Sequence, residues 1–238
     1  MSATVPLIDF HAHILPGADH GSSGIEQSLN QLALIHHAGV DTVVATPHFY
    51  PNRHKVEDFV DMVNSAAERL TEQLPPSLRL GVGTEILYCD RLDRMDGLER
   101  LCVRGTDLLL LELPLDIWSH DLFETVECLT KRFTVLLAHV DRYVRFQQAE
   151  LMELLAMGAY AQINADALFS FTERRKLTPI LDSERVVALG SDLHRLEKKT
   201  YERFAAAKNK LGAERFEDIM LHSAKLLENA TLYSNPNA

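Results

Sequence analysis

The stretch DFHAHILPGADHG, residues 9–21, sets His11, His13, Asp19 and His20 within ten residues of one another. The apolar run that leads into it, VPLIDF at 5–10, has the β-branched and aromatic content of a strand. Barrels of alternating strands and helices build their sites at the C-terminal ends of parallel strands. Whether this stretch opens such a site therefore depends on how the later strands end.

Working outward, short runs rich in Val, Ile and Leu alternate with longer segments of helical period. Strands are predicted at 5–10, 41–46, 78–85, 107–113, 133–138, 159–163 and 185–190. Helices are predicted at about 25–38, 56–73, 121–132, 147–157, 172–182, 197–211 and 214–229. Ser22 and Ser23 offer N-cap oxygens to the first helix, with Glu26 in capping-box register after Ser23. Gly39 and Gly158 read as helix C-caps. Seven strands alternating with helices predict parallel βαβ units and an α/β barrel; a doubly wound open sheet is the other architecture that the alternation allows. No internal repeat or low-complexity tract divides the chain. One domain is expected over 1–238, with the barrel from about 5 to 230 and a short flexible tail at 234–238.

The ionisable residues follow the strands. His11 and His13 end the first, with His20 in its loop; His48 follows the second, Glu85 ends the third and Glu112 the fourth. His139 follows the fifth, and Asp192 and His194 follow the seventh. In a barrel all of them converge on one rim. The pairs His11/His13 and Asp192/His194 are spaced i, i+2, which in extended chain puts both side chains on one face about 7 Å apart. A lone HxH is a weak signal, and Glu112 within LLLLELP also fits a buried structural carboxylate. The joint placement of six histidines, two glutamates and one aspartate after six strands is a strong one. Imidazole and carboxylate without thiolate suit Zn, Mn or Fe, and nine donors exceed the need of one ion. His36, His37, His54, His120 and His222 read as surface or packing residues.

Composition narrows the function. The chain has 238 residues and a formal net charge of −10, which argues against nonspecific nucleic-acid binding. No apolar stretch of about 18 residues suggests a membrane span, and the N-terminus lacks the basic, then apolar, pattern of a signal peptide. A cytoplasmic location is the resulting expectation. Cys89, Cys102 and Cys128 form no CxxC pair. The sixth residue after each is Met95, Leu108 and Thr134, so no C-x5-R phosphatase loop is present.

Together DFHAHILPGADHG, VVATPH, GTEI, LAHVDRY and GSDLH resemble the PHP (polymerase and histidinol phosphatase) superfamily. HxHILPGxDxG, the EQSL that follows it and the AHxxRY motif resemble its manganese-dependent bacterial protein tyrosine phosphatases, of the capsule and exopolysaccharide type. The likeness runs in order from residue 8 to about 195. It implies a distorted (β/α)7 barrel with two to three divalent ions, Mn before Fe, Zn or Co. One ion would take His11, His13, Glu85 and Asp192. A second would take Glu85 as bridge, Glu112 and His139, and a third His20, His48 and His194. Arg142 matches an arginine that holds substrate phosphate. Two residues depart from the pattern: His20 stands where the capsule enzymes carry a second aspartate (DHG for DDG), and Asp141 stands for a glutamate (HVDRY for HxERY).

The chemistry implied is direct hydrolysis, in which cations lower the pKa of a bridging water. Arg142, whose planar fork matches two phosphate oxygens, offsets charge. Tyrosine leaves with a pKa of about 10, so metal coordination or acid help from His194 suffices. The partner implied is the phosphotyrosine-bearing tail of a bacterial tyrosine kinase. Alternatives are a histidinol-phosphatase-like monoesterase, a PHP phosphodiesterase and a degenerate scaffold. In FYPNRHK, Phe49, Tyr50 and Arg53 are as consistent with an aryl-binding wall as with an ordinary loop. No feature of the sequence sets an oligomeric state.

Overall fold

The structure is a computed structural model that describes residues 5–236. Its strands are β1 (Ile8–Ala12), β2 (Thr42–Ala45), β3 (His48–Phe49), β4 (Arg79–Val82), β5 (Glu85–Leu87), β6 (Leu108–Glu112), β7 (Thr134–Leu137), β8 (Tyr160–Asn164) and β9 (Val186–Gly190). All pair in parallel, β1-β2-β4 in one sheet and β3-β5-β6-β7-β8-β9 in the other.

The two sheets are one barrel with two breaks in it. Thr46 and Pro47 part β2 from β3, and Gly83 and Thr84 part β4 from β5. Pairing continues across the breaks, because the Gly83 N–H bonds to the Ala45 carbonyl at 2.9 Å and the Glu85 N–H to the Pro47 carbonyl at 3.1 Å. Pro47 has no N–H to give a ladder. Gly83 packs so close to Val103 that a Cβ would lie 2.8 Å from its Cγ2. Each broken pair thus acts as one stave, which makes seven, as the sequence predicts. Beyond the last strand the chain closes the ring. The Asp192 N–H bonds to the His11 carbonyl at 2.8 Å, and the His13 N–H to the Leu193 carbonyl at 3.0 Å.

Strands buried on both faces read as continuous apolar runs. Leu108–Leu111, Val135–Leu137 and Val186–Leu189 are all buried. The helices are α1 (Ile25–His37), α2 (Val56–Thr71), α3 (His120–Thr130), α4 (Gln148–Ala156), α5 (Phe171–Asp182), α6 (Lys198–Ala205), α7 (Lys208–Leu211) and α8 (Ala213–Leu226). All but the four-residue α7 bury side chains against the barrel; α2 buries Phe59, Val63, Ala66, Ala67 and Leu70. No helix among the described residues is long and apolar enough to cross a membrane.

Two local expectations change. The helix expected at 197–211 is two, α6 and α7, because the backbone at Ala206 leaves the helical region. The Ser23–Glu26 capping box does not form: α1 starts after an extended Gly24, which puts Ser23 one residue out of register. Its hydroxyl instead donates to Gln27 Oε1 at 2.9 Å. Gly39 and Gly158 lie one residue past the caps Ala38 and Met157, at φ +79° and +111°, where glycine ends a helix without a Cβ penalty. At the C-terminus Tyr233 pairs with Leu80, and Asn235 Nδ2 donates to the Leu74 carbonyl at 2.8 Å. Residues 237–238 of the expected tail lie outside the described residues.

Candidate metal centre

Parallel strands deliver their last residues to one rim, and there the side chains singled out in the sequence meet. Glu85, fully buried at the start of β5, is the hub. Its Oε1 lies 2.7 Å from His139 Nε2. Its Oε2 lies 3.2 Å from both His11 Nε2 and His13 Nε2, and 3.0 Å from His48 Nδ1. Asp192 Oδ1 stands 3.7 Å from His11 Nε2 and 3.5 Å from His13 Nε2. Glu112 faces His139 at 3.5 Å and His48 at 3.8 Å. His48 Nε2 and His194 Nε2 are 3.3 Å apart.

Three groups have all donor atoms within 4.8 Å of one another: His11, His13 and Asp192; His48, Glu85 and Glu112; and His13, His48 and His194. His20 is exposed and belongs to none of them, but its ring stacks on those of His48 and His194 at 4.7 and 4.6 Å. His36, His37, His120 and His222 are exposed on helices, and His54 packs on Phe59.

Buried polar atoms normally find a hydrogen-bond partner. Here Glu85 Oε2, Asp192 Oδ1 and His48 Nδ1 are buried without one. Glu85 Oε2 and His48 Nδ1 approach to 3.0 Å yet are misaligned for a bond. Two imidazole nitrogens, those of His11 and His13, face each other at 3.0 Å. Nitrogen and carboxylate donors in that arrangement fit divalent first-row cations.

Burial opposes charge on Glu85, but the imidazoles of His11, His13 and His139 outweigh it and hold the carboxyl well below the usual range. Asp192 is lowered in the same way by His13, His11 and His139. Burial and the adjacent Glu85 raise Glu112. Burial and the charge on His13 push His194 down to about 4.

The supports are specific. His13 Nδ1 donates to Asp19 Oδ2 at 2.6 Å, and Asp19 also accepts from the backbone N–H of His48 at 3.0 Å and of Gly21 at 2.8 Å. His194 Nδ1 donates to the Asp192 carbonyl at 3.0 Å. When neutral, both rings therefore turn Nε2 inward as the lone-pair atom. Gly21 passes so close to His13 that any Cβ would collide with it.

Arg142 projects from the turn Val140–Arg142 that follows β7. Its guanidinium bonds to Glu112 Oε1 at 3.4 Å and Asp192 Oδ2 at 2.5 Å, and it is 39% exposed. Asp141 anchors that turn by accepting the Asn164 N–H at 2.8 Å. Buried Tyr143 anchors it by donating its hydroxyl to the Leu113 carbonyl at 2.9 Å. On the other side Tyr50 stacks on His48 at 5.4 Å and 18°, with the Arg53 guanidinium over its ring at 5.4 Å. Tyr50 and Arg53 line a cavity of about 350 Å³ with Leu87 and Tyr88.

Sequence reading passed over Asp19 as a support and missed Gln162 and Asn164, whose amides touch the cluster from β8. The available signal was a pair of polar residues at i, i+2 inside an otherwise apolar strand, AYAQIN.

The fold is thus a closed seven-stave parallel barrel whose rim gathers histidines and carboxylates from six of its seven staves. The chain belongs to the capsular polysaccharide synthesis family CpsB/CapC, whose profile matches residues 7–228. It is 25% identical over 245 residues to the tyrosine-protein phosphatase YwqE of Bacillus subtilis (strain 168), spanning 97% of this chain and 95% of that one. Its fold matches a crystal structure from a study of YwqE from Bacillus subtilis and CpsB from Streptococcus pneumoniae, described as metal-dependent tyrosine phosphatases. The TM-score is 0.76 at 20% identity, over 96% of this chain and 98% of the other. A more distant fold match is the histidinol phosphate phosphatase of Lactococcus lactis, at TM-score 0.53 and 13% identity, over 86% and 93% of the two chains.

Proposed function

We propose that this protein hydrolyses phosphotyrosine on a protein substrate with the aid of divalent cations. The observation that carries the reading is the buried cluster itself, with the oxygens of Glu85 and Asp192 and the nitrogen of His48 left without hydrogen bonds among converging imidazoles. The family membership and the activity given to YwqE support it.

In this reading His11, His13, Glu85 and Asp192 hold one cation, and Glu85, Glu112 and His139 a second. His48 and His194 hold a third with His20. Bound there, the cations supply a water-derived nucleophile near neutral pH and offset charge on the phosphoryl oxygens. Arg142 binds the phosphoryl group, being exposed enough to turn its fork outward from Glu112 and Asp192. His194, neutral through its low pKa, serves as a lone-pair donor. Tyr50, with Arg53 and Leu87 beside it, offers the leaving aryl group an aromatic wall. Tyrosinate, with a pKa of about 10, departs with little protonation.

The finer reading is Mn²⁺ as the metal, the tail of a bacterial tyrosine kinase as the partner and polysaccharide export as the process. The cytoplasm is the proposed setting, in keeping with three unpaired cysteines. The whole chain is proposed to act as one domain. Phosphate release from a phosphotyrosyl peptide and from histidinol phosphate, with Mn²⁺ and with chelator, tests this. Chelator-sensitive release that favours the peptide is the expected outcome, and preference for histidinol phosphate would overturn the substrate assignment.

A further inference from the structure

Strand β8 is the stave that supplies no residue of the proposed ligand set, yet Gln162 and Asn164 point two amides from it at the cluster. Gln162 is fully buried. Its Oε1 accepts the backbone N–H of His139 at 2.7 Å and lies 3.1 Å from His11 Nδ1. Its Nε2 donates to Asn164 Oδ1 at 3.0 Å, and Asn164 Nδ2 donates to Asp192 Oδ2 at 3.1 Å.

The polarity of this chain is fixed at both ends. A backbone N–H only donates, so the Gln162 atom facing His139 is the oxygen. An ionised carboxylate only accepts, so the Asn164 atom facing Asp192 is the nitrogen. The two assignments meet correctly in the middle, where Nε2 faces Oδ1. An oxygen beside His11 Nδ1 puts the ring proton on that nitrogen. Nε2 is then the lone-pair atom, and it faces Glu85, His13 and Asp192. On neighbouring β9, a Cβ at Gly190 would lie 2.5 Å from Gln162 Nε2 and 2.6 Å from His11 Cβ. Glycine there leaves the amide its place against the imidazole.

We infer that Gln162 is a positioning residue of the metal centre, whose amide fixes the tautomer of His11 and, relayed through Asn164, the orientation of Asp192. The inference rests on the metal-centre reading above. It separates from a plain packing role because packing would affect the metal-free and metal-bound protein equally. Outer-sphere partners of ligating histidines act on metal affinity itself, typically by about 10–100-fold.

The test compares the wild-type chain with Gln162→Leu, Gln162→Glu and Asn164→Ala. Long-range ¹H–¹⁵N spectra in chelator read the His11 ring directly. Nδ1–H is expected in the wild type, in Gln162→Glu (a carboxylate still accepts) and in Asn164→Ala, and is expected to be lost in Gln162→Leu. Titration of free Mn²⁺ by its EPR signal should show affinity about 10–100-fold lower in Gln162→Leu. The loss should be smaller in Gln162→Glu and Asn164→Ala, which break only the relay to Asp192. The melting-temperature gain on adding Mn²⁺ should shrink in the same order. Should Gln162→Leu not fold, the other two variants carry the affinity comparison. Unchanged Mn²⁺ affinity in every folded variant overturns the inference alone. A wild type that binds no Mn²⁺ overturns the metal-centre reading, and the inference with it.

Discussion

Replacing Arg142 separates the binding of phosphate from the binding of metal. Its guanidinium now spans Glu112 Oε1 at 3.4 Å and Asp192 Oδ2 at 2.5 Å, so two N–H groups of the fork already face the site. Turned onto a phosphoryl group, two charge-assisted bonds contribute about 1.5–3 kcal/mol each. The side chain is 39% exposed, so water competes and the lower end applies. The total of about 3 kcal/mol converts to a loss of about 10²-fold in kcat/KM for Arg142→Ala. Arg142→Lys keeps the charge without the planar fork and is expected to lose about tenfold. Bound metal should persist in both, since the change frees the carboxylates of Glu112 and Asp192 for it. The assay is kcat/KM on p-nitrophenyl phosphate and on a phosphotyrosyl peptide, with metal content measured on the same samples. Wild-type kcat/KM in Arg142→Ala would refute the phosphate role, and a loss that follows loss of metal would refute the separation.

Three further outcomes are expected. Mn²⁺ at about a hundred times its dissociation constant stabilises the folded chain by about 2.7 kcal/mol. For a chain of this length that is about 5–10 °C in Tm, reversed by chelator, and a melt indifferent to both would count against the metal centre. Tyr201→Phe removes the 2.7 Å hydrogen bond from its hydroxyl to fully buried Asp9, which also takes the Ser191 N–H at 2.8 Å across the β1–β9 seam. A cost of about 1–3 kcal/mol should lower Tm by about 2–12 °C, and an unchanged calorimetric melt would show that the seam does not need it. Burial, with Asp107 and Glu99 beside it, pushes the Cys102 thiol up to about 12. The thiolate is the nucleophile, so iodoacetamide at about pH 8 should label exposed Cys128 in the native protein and Cys102 only after unfolding, as mapped by mass spectrometry.

The staves were legible because a parallel strand buried on both faces must be written in continuous apolar residues, as at LLLLE and VVALG. The breaks at Pro47 and Gly83 were not. Pairing across them depends on the Ala45 and Pro47 carbonyls meeting a neighbouring stave, which no single segment encodes. The split between α6 and α7 was hidden for another reason: FAAAKNK is good helix sequence throughout, and propensity gives way there to packing. The candidate ligands stood out because ionisable residues at strand ends have few structural uses. Their supports did not. The contact between Gln162 and His11 joins residues 151 apart in the chain, and a polar residue in a strand has no meaning until its neighbours are known.

Among the described residues, two of the four non-glycine residues with left-handed backbone lie at the cluster, and that bears on how it is held. His139, at φ 31° and ψ 54°, and Asp192, at φ 53°, occupy the left-handed region that disfavours a side chain by about 1–2 kcal/mol per residue. Gly21 and Gly190 press backbone against His13 and His11 where no Cβ would fit. The two left-handed residues share one geometric cause. A strand that simply ran on would carry its next side chain past the rim, whereas a left-handed residue at the strand end turns the chain away and leaves the side chain aimed inward. At Asp192 the same turn presents the N–H that bonds to the His11 carbonyl and closes the barrel. At Asp192, closure of the barrel and placement of the side chain are thus one feature of the fold. Glycine at Asp192 would relax the backbone, but it would remove from the seam the carboxylate to which Arg142 and Asn164 are both directed.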